Sequence, residues 1–380
     1  MTLSLSQMNQ IRAILNLTHA PYDEIPDNLL YLSFIPKGTK IDPSRFEEYN
    51  LRDNDLLEFL GDAILDVIVA QYLSLFNLDN YSCFLRHIVS NVVLTCLMEQ
   101  KKLCDPFFRV QAKACADRLE AIVGMIYYYF GELNLNNDSL QIVANWFYST
   151  FDMNRLINEI NQRGRTNCPQ DQLSPCRIQR AIPIVINMTI NIPLTSYLTA
   201  QARAIKNVLK LVPTDPSIEK DPDDLETDML ADIPLDLILL AFIYQGYRLN
   251  VNSKLYLQKY GFSSNRMFIF FGQKLFEMLI SEDLFHLIYL NRLKTAQEAH
   301  LIREELIADS SLLQVLETKN LAAYSFTNTA SPDLIYSIIG MIYYYLYNVL
   351  RNPFAFDILK IWFLQFWPPE LRANRSVLFT

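Results

Sequence analysis

From Asp55 to about Tyr72 the chain places apolar residues on nearly every side of a helical wheel. Only Asp55, Glu58, Asp62 and Asp66 break the pattern with charge. Apolar residues recur at three- and four-residue spacing, with few Gly or Pro breakers, over most of 1–150 and 236–380, which predicts helices there. The longest uncharged stretch, Leu334–Leu350, has seventeen residues and five tyrosines. It is short for a bilayer span, so the expectation is a buried helix and no membrane. Between the two helical regions the pattern changes, with helical spacing at 154–161, a β-like run at Ala181–Ile192 and helical spacing again from Tyr197 to Leu211.

The pattern also repeats. GMIYYY occurs at Gly124–Tyr129 and at Gly340–Tyr345, 216 residues apart. IVSNVVLTCLMEQKKL (88–103) lies against IADSSLLQVLETKNL (307–321) at nearly the same offset, and NDLLEFLGDAIL (54–65) lies against NRMFIFFGQKLF (265–276) at an offset of 211. Three ordered matches predict a duplicated helical domain rather than a solenoid.

Charge refines this outline. The 380 residues carry a net charge of −8, which by itself argues against a polyanionic partner. The balance is uneven, however. Residues 151–213 hold eight bases against three acids, whereas 214–235 hold eight acids against Lys220. The expected organisation is therefore a domain at 1–150, a small basic α+β module at 151–213, an acidic linker at 214–235 and a second domain at 236–380. The six cysteines (83, 96, 104, 115, 168, 176) form no CxxC pair and no Cys/His cluster at zinc spacing, which predicts reduced thiols. His19, His87, His286 and His300 lie in no nucleophile or zinc pattern and are expected in packing or surface roles. The first twenty residues carry one base, Arg12, and no signal-like apolar core, so the expected location is intracellular, cytoplasmic or nuclear.

The carboxylates carry the candidate chemistry. Glu58, Asp62 and Asp66 follow one another at i+4, so they share a helix face, and like charges at that spacing destabilise a helix by roughly a few tenths of a kcal/mol per pair. Asp117 and Glu120 form a second pair at i,i+3. From spacing alone a solvated acidic face is the commoner reading, because charged helix faces are commonplace. Converging carboxylates suit hard, oxygen-preferring ions such as Mg²⁺, with Mn²⁺ as a substitute, and two such ions promote phosphodiester hydrolysis.

Three blocks then resemble one family in order and spacing. NDLLEFLGDAIL (54–65) resembles the ribonuclease III signature, LRHIVSNVVL (85–94) its second block, and KACADRLEAIVGMIY (113–127) its third. The resemblance implies that Glu58, Asp62, Asp117 and Glu120 hold Mg²⁺, and it matches Lys113 to a lysine near the metals in Dicer-like members. Two departures are visible: Asp55 replaces the usual Glu of the first block, and LSFIPKG (32–38) stands where the family has A-F-T-H. In the second copy Ile269, Gln273 and Tyr336 stand at the positions of Glu58, Asp62 and Glu120, and only Asp333 keeps its carboxylate.

The resemblance therefore implies a mainly α fold. An intact ribonuclease III domain and a dead one would form an intramolecular pseudo-dimer, as in Dicer or Drosha. SYLTAQARAIKNVL (196–209) resembles the last helix of a double-stranded-RNA-binding domain, but Tyr197 and Leu198 occupy its two phosphate-gripping lysine positions, which implies weakened RNA contact. The implied activity is Mg²⁺-dependent cleavage of double-stranded or structured RNA at one centre. A protein partner could supply RNA affinity or a second active domain. The alternative is a non-catalytic structural or RNA-holding subunit of a larger RNA-processing or ribosomal complex, favoured by the dead copy and the overall acidity.

Overall fold

A computed structural model describes residues 4–39, 46, 48, 49, 51, 53–78, 80–104, 112–136, 138–168, 173–176, 182–211, 228–242, 253–262, 264–290, 293, 295–324 and 331–367. The fold is mainly α, as the spacing predicts. The only strands among the described residues are Phe76–Asn77 and Ile182–Pro183, paired antiparallel with Phe76 opposite Pro183. The β-like run expected over 181–192 is thus reduced to two paired residues. No single helix among the described residues is long and apolar enough to cross a membrane.

The chain divides into two compact units. Residues 1–73, 78–181 and 281–301 form the first, and 74–77, 182–280 and 302–380 the second. The first contains α1 (Leu5–Ile14), α2 (Asp27–Leu32), α3 (Asp55–Leu73), α4 (Tyr81–Ile88), α5 (Asn91–Gln100), α6 (Ala112–Tyr128), α7 (Ser139–Thr150) and α8 (Met153–Arg163). The second contains α9 (Ser196–Val208), α10 (Leu235–Phe242), α11 (Ser253–Tyr260), α14 (Asp309–Thr318), α15 (Asp333–Tyr344) and α16 (Ala355–Phe366). Two helices cross the division, α12 (Arg266–Tyr289) and α13 (Ala296–Leu306).

In the first unit α3 is the central helix. Fourteen of its nineteen residues are buried, and the remaining five are Asp55, Glu58, Asp62, Asp66 and Tyr72. A helix apolar on almost all sides belongs inside a core, and here the acidic stripe is the side left open. α3 packs against α6 with two glycines at the contact. A Cβ on Gly61 would overlap the carbonyl oxygen of Glu120, and one on Gly124 would overlap that of Leu57.

The second unit repeats this crossing between α12 and α15. There a Cβ on Gly272 would overlap the Tyr336 carbonyl and one on Gly340 that of Phe268. The duplication extends to fine detail. The two GMIYYY copies each run from α-helix into a π-turn, Tyr129–Leu133 and Tyr345–Val349. Each π-turn is followed by a left-handed residue, Leu135 in one case and Arg351 in the other.

The duplicated region begins earlier than the sequence pattern predicts. Trp146 Nε1 donates to the Leu15 carbonyl at 2.7 Å, and Trp362 Nε1 donates to the Leu209 carbonyl at 2.9 Å. α1 ends with Asn16 at φ 55°, and α9 ends with Lys210 at φ 55°. Arg12 donates to the Ile25 carbonyl, and Lys206 donates to the Ile233 carbonyl at 3.2 Å. In the second unit α9 therefore occupies the place that α1 has in the first, and Leu198 and Ala202 pack on Leu239 of α10.

The stretch 151–213, expected as one basic module, accordingly divides at Ala181 and Ile182 between the two units. The helices at 154–161 and from 197 form as predicted, but they serve different cores. Of the acidic linker, 214–227 lies outside the described residues, and the remainder forms a 3₁₀ turn, Asp228–Asp232, leading to α10.

The expectation of free thiols is overturned. All six cysteines are paired, as Cys83–Cys176, Cys96–Cys168 and Cys104–Cys115. Spacing could not show this: Cys83–Cys176 and Cys96–Cys168, 93 and 72 residues apart, meet only when α4 and α5 fold against the segment after α8, and Cys104–Cys115, 11 apart, joins the segment after α5 to α6.

The glycine crossings yield a direct test. Gly61→Ala and Gly272→Ala each press a methyl group into main chain, which no rotamer change relieves. We expect each to destabilise its unit by about 3 kcal/mol or more, read as loss of melting temperature by calorimetry. A change under about 0.5 kcal/mol, the level of an ordinary surface substitution, would refute the crossing.

Candidate metal centre

The α3–α6 contact sets the geometry of the site. Glycine at 61 and 124 draws the two backbones together, and this brings the open stripe of α3 against the acidic turn of α6. One carboxylate oxygen from each of Glu58, Asp117 and Glu120 lies within 4.8 Å of the others. Asp62, one turn beyond Glu58, acts electrostatically on Glu120, as do Glu58, Asp117 and Asp66. The four carboxylates predicted from the sequence therefore share one electrostatic neighbourhood, three of them in close cluster. Lys113 lies in the first turn of α6, but its side chain is outside the described residues.

Glu120 is the most constrained of the four, with 7% of its surface exposed. Burial first, and then its acidic neighbours, push its carboxyl up to about 9. A carboxylate there is costly unless a cation joins it. Arg118 on the same helix is buried, which lowers its guanidinium to about 10, and it donates to the Cys104 carbonyl at 3.2 Å. Lys37 pairs with Asp55 at 2.8 Å, and this hydrogen bond is the main cause of its raised ammonium pKa. An all-oxygen donor set of this kind fits a hard divalent ion.

The cluster opens into a cleft lined by Glu58, Asp117, Lys37, Asn54, Gln297 and His300, among others. The last two come from α13, 170 residues and more beyond Asp117, and their sequence surroundings carry no motif that points here. His300 stacks edge-on against Phe59 at 4.8 Å, next to Glu58 in the chain. Two other histidines keep packing or surface roles but stand beside possible donor groups. His286 lies 3.1 Å from Glu132, with Glu282 in the same group, and His87 sits beside Cys83 and Cys176. The segment LSFIPKG supplies main-chain support for the start of α3. The Asn54 amide N–H donates to the Ile35 carbonyl at 2.9 Å, and the Asn54 side chain donates to the Ser33 carbonyl.

The second unit has the same backbone crossing with different chemistry. Gln273 donates to Glu277 at 3.1 Å, and the Lys274 ammonium pairs with the same carboxylate at 2.8 Å. Glu277 stands at the position of Asp66, so a covalently attached cation neutralises this stripe. Tyr336, at the position of Glu120, packs its ring on Phe276 at 5.7 Å. Burial is the main cause that pushes its hydroxyl up to about 12. Asp333 remains, with its carboxyl raised by burial and by Asp309.

No family model matches the chain, and no curated protein matches it.

The raised Glu120 carboxyl predicts a pH dependence. Its folded value of about 9 exceeds the ordinary value of 4.5. The unfolded chain therefore releases this proton first, and metal-free stability falls as pH rises from 4.5 towards 9. Glu120→Gln removes that loss. At pH 8 without divalent ions we expect it to melt at least ~2 °C above the unsubstituted protein. In Mg²⁺ at about a hundred times its dissociation constant the order should reverse, because only the native carboxylate gains from the ion. Equal melting temperatures in both conditions would remove Glu120 from the centre.

Proposed function

We propose that the chain is a Mg²⁺-dependent endoribonuclease of the ribonuclease III type, with one competent centre, acting on double-stranded or structured RNA. The observation that carries this reading is the meeting of Glu58, Asp117 and Glu120 within 4.8 Å, beside Asp62 and around a buried carboxylate that disfavours its own ionisation. These are the residues that the three motif blocks imply as ligands. Local sequence order implies four side chains, and tertiary convergence supports three of them directly, with Asp62 acting on Glu120 electrostatically.

The chemistry follows from the donor set. Glu58, Asp62, Asp117 and Glu120 would hold divalent ions, which when bound activate a water and stabilise the departing oxygen of a phosphodiester. The chain's part is to fix these oxygens on two helices that cannot move apart without losing the glycine contact. Glu58 and Asp117 face the open cleft, where a phosphate group can approach. Lys37 holds Asp55 at its rim and lends positive charge to a site that is otherwise acidic. In the second unit an Ile, a Gln and a Tyr replace three of the four carboxylates, and Lys274 takes up the charge of Glu277. That copy is proposed to keep the fold and to have lost the chemistry.

One centre per chain implies a nick. With end-labelled duplex RNA and Mg²⁺, the purified chain is expected to cut one strand per encounter, leaving 5′-phosphate and 3′-hydroxyl ends. Equal cutting of both strands at concentrations where the protein is monomeric would refute a single centre. Asp62→Ala should abolish cleavage with helical content retained, and full residual activity would refute the assignment. A wild-type chain that neither cleaves RNA nor binds Mg²⁺ or Mn²⁺ would favour the non-catalytic subunit instead.

A further inference from the structure

We propose that Cys83, His87 and Cys176 form a Zn²⁺ site when the two cysteines are reduced. Cys83 and His87 are one turn apart on α4, at i,i+4, so both side chains leave the same face of the helix. Cys176 reaches that face from the segment after α8. Two sulfurs and one ring nitrogen lie within 4.8 Å of one another, and all three residues are buried. This thiolate and imidazole set is the donor chemistry that zinc prefers. It differs in kind from the all-oxygen cluster on α3 and α6.

The histidine is the telling feature. A disulfide needs no imidazole beside it, yet His87 is wholly buried against this one. Its Nε2 lies 3.3 Å from the Ser174 carbonyl oxygen. That carbonyl is an acceptor within reach of the ring, so it can fix which tautomer the imidazole adopts. Ligating histidines are commonly oriented by such a backbone acceptor. Arg86 Nη2 stands 3.7 Å from Cys83 Sγ, a donor suited to a thiolate.

The backbone already allows the reduced geometry. Cys83 and Cys176 have their Cα atoms 5.8 Å apart. A tetrahedral ion with Zn–S bonds of about 2.3 Å holds its two sulfurs roughly 3.8 Å apart, a separation that rotation about the Cα–Cβ bonds can reach. A dithiol reductant gives two electrons and two protons to the Cys83–Cys176 bond and closes to its own cyclic disulfide. Zn²⁺ then displaces the two thiol protons to solvent, and water completes its coordination. The segment carrying Ser174 and Cys176 is thereby clipped to α4 in either redox state, by a covalent bond when oxidised and by the metal when reduced.

The test uses the full chain, oxidised or reduced with excess dithiol and then freed of it under nitrogen. Each form is equilibrated with Zn²⁺ or Co²⁺ in the presence of millimolar Mg²⁺ to occupy carboxylates. We expect about one more metal ion per reduced chain than per oxidised chain, with a thiolate-to-cobalt charge-transfer band in the reduced form alone. His87→Gln should weaken binding by more than about tenfold, since even outer partners of a zinc ligand are worth that much. The Cys96→Ser/Cys168→Ser double variant should bind as the unsubstituted chain does. Equal metal content in the two redox forms overturns the proposal, as does undiminished binding by His87→Gln. Retention of the charge-transfer band in a Cys83→Ser/Cys176→Ser variant overturns it as well.

Discussion

The contact between α3 and α6 at Gly61 and Gly124 is the constraint on which the first unit depends. With no side chain at either glycine, main-chain atoms of one helix meet main-chain atoms of the other. At ordinary interhelical distances of about 8–10 Å, the acidic turn of α6 would stand away from the stripe on α3. The close crossing supplies both the buried core and the convergence of Glu58, Asp117 and Glu120. Burial of Glu120 is its electrostatic consequence, so the crossing also sets how strongly that carboxyl resists ionisation.

The second unit separates those two effects. Gly272 and Gly340 keep the crossing, and the π-turns, left-handed caps and buried tryptophan hydrogen bonds are kept with it. Three of the four carboxylates are not kept. Lys274 is already bonded to Glu277, and Tyr336 lies on Phe276, so nothing in the stripe calls for an external ion. The same backbone scaffold thus tolerates an acidic or an aromatic filling. This is expected when the main-chain contact, rather than the side chains beside it, holds the helices together.

Much of this was legible in the sequence. The helices around Glu58 and Glu120 follow from apolar spacing, and the acidic stripe is visible because α3 has no other charge to balance it. The match between GMIYYY copies anticipated a duplication that the two π-turns and the two crossings display. The start of the second copy was not legible. Residues equivalent to Arg12, Pro26, Gly61 and Gly124 are Lys206, Pro234, Gly272 and Gly340. The offset therefore drifts from 194 to 216 as connections change length, and a search at constant spacing loses α9. Buried main-chain hydrogen bonds recover the equivalence because they record position rather than residue type.

By itself the sequence determined which segments are helical and which face of α3 carries charge. Those properties are local, arising from residue type and from spacing within a turn or two. Only the tertiary structure decided that His300 and Gln297 line the cleft, that 151–213 serves two cores, and that Cys83, His87 and Cys176 meet. Each of these joins residues from distant segments, and such meetings are set by how closely helices pack and how connections run. In this chain two pairs of glycines with no side chains of their own exert much of that control.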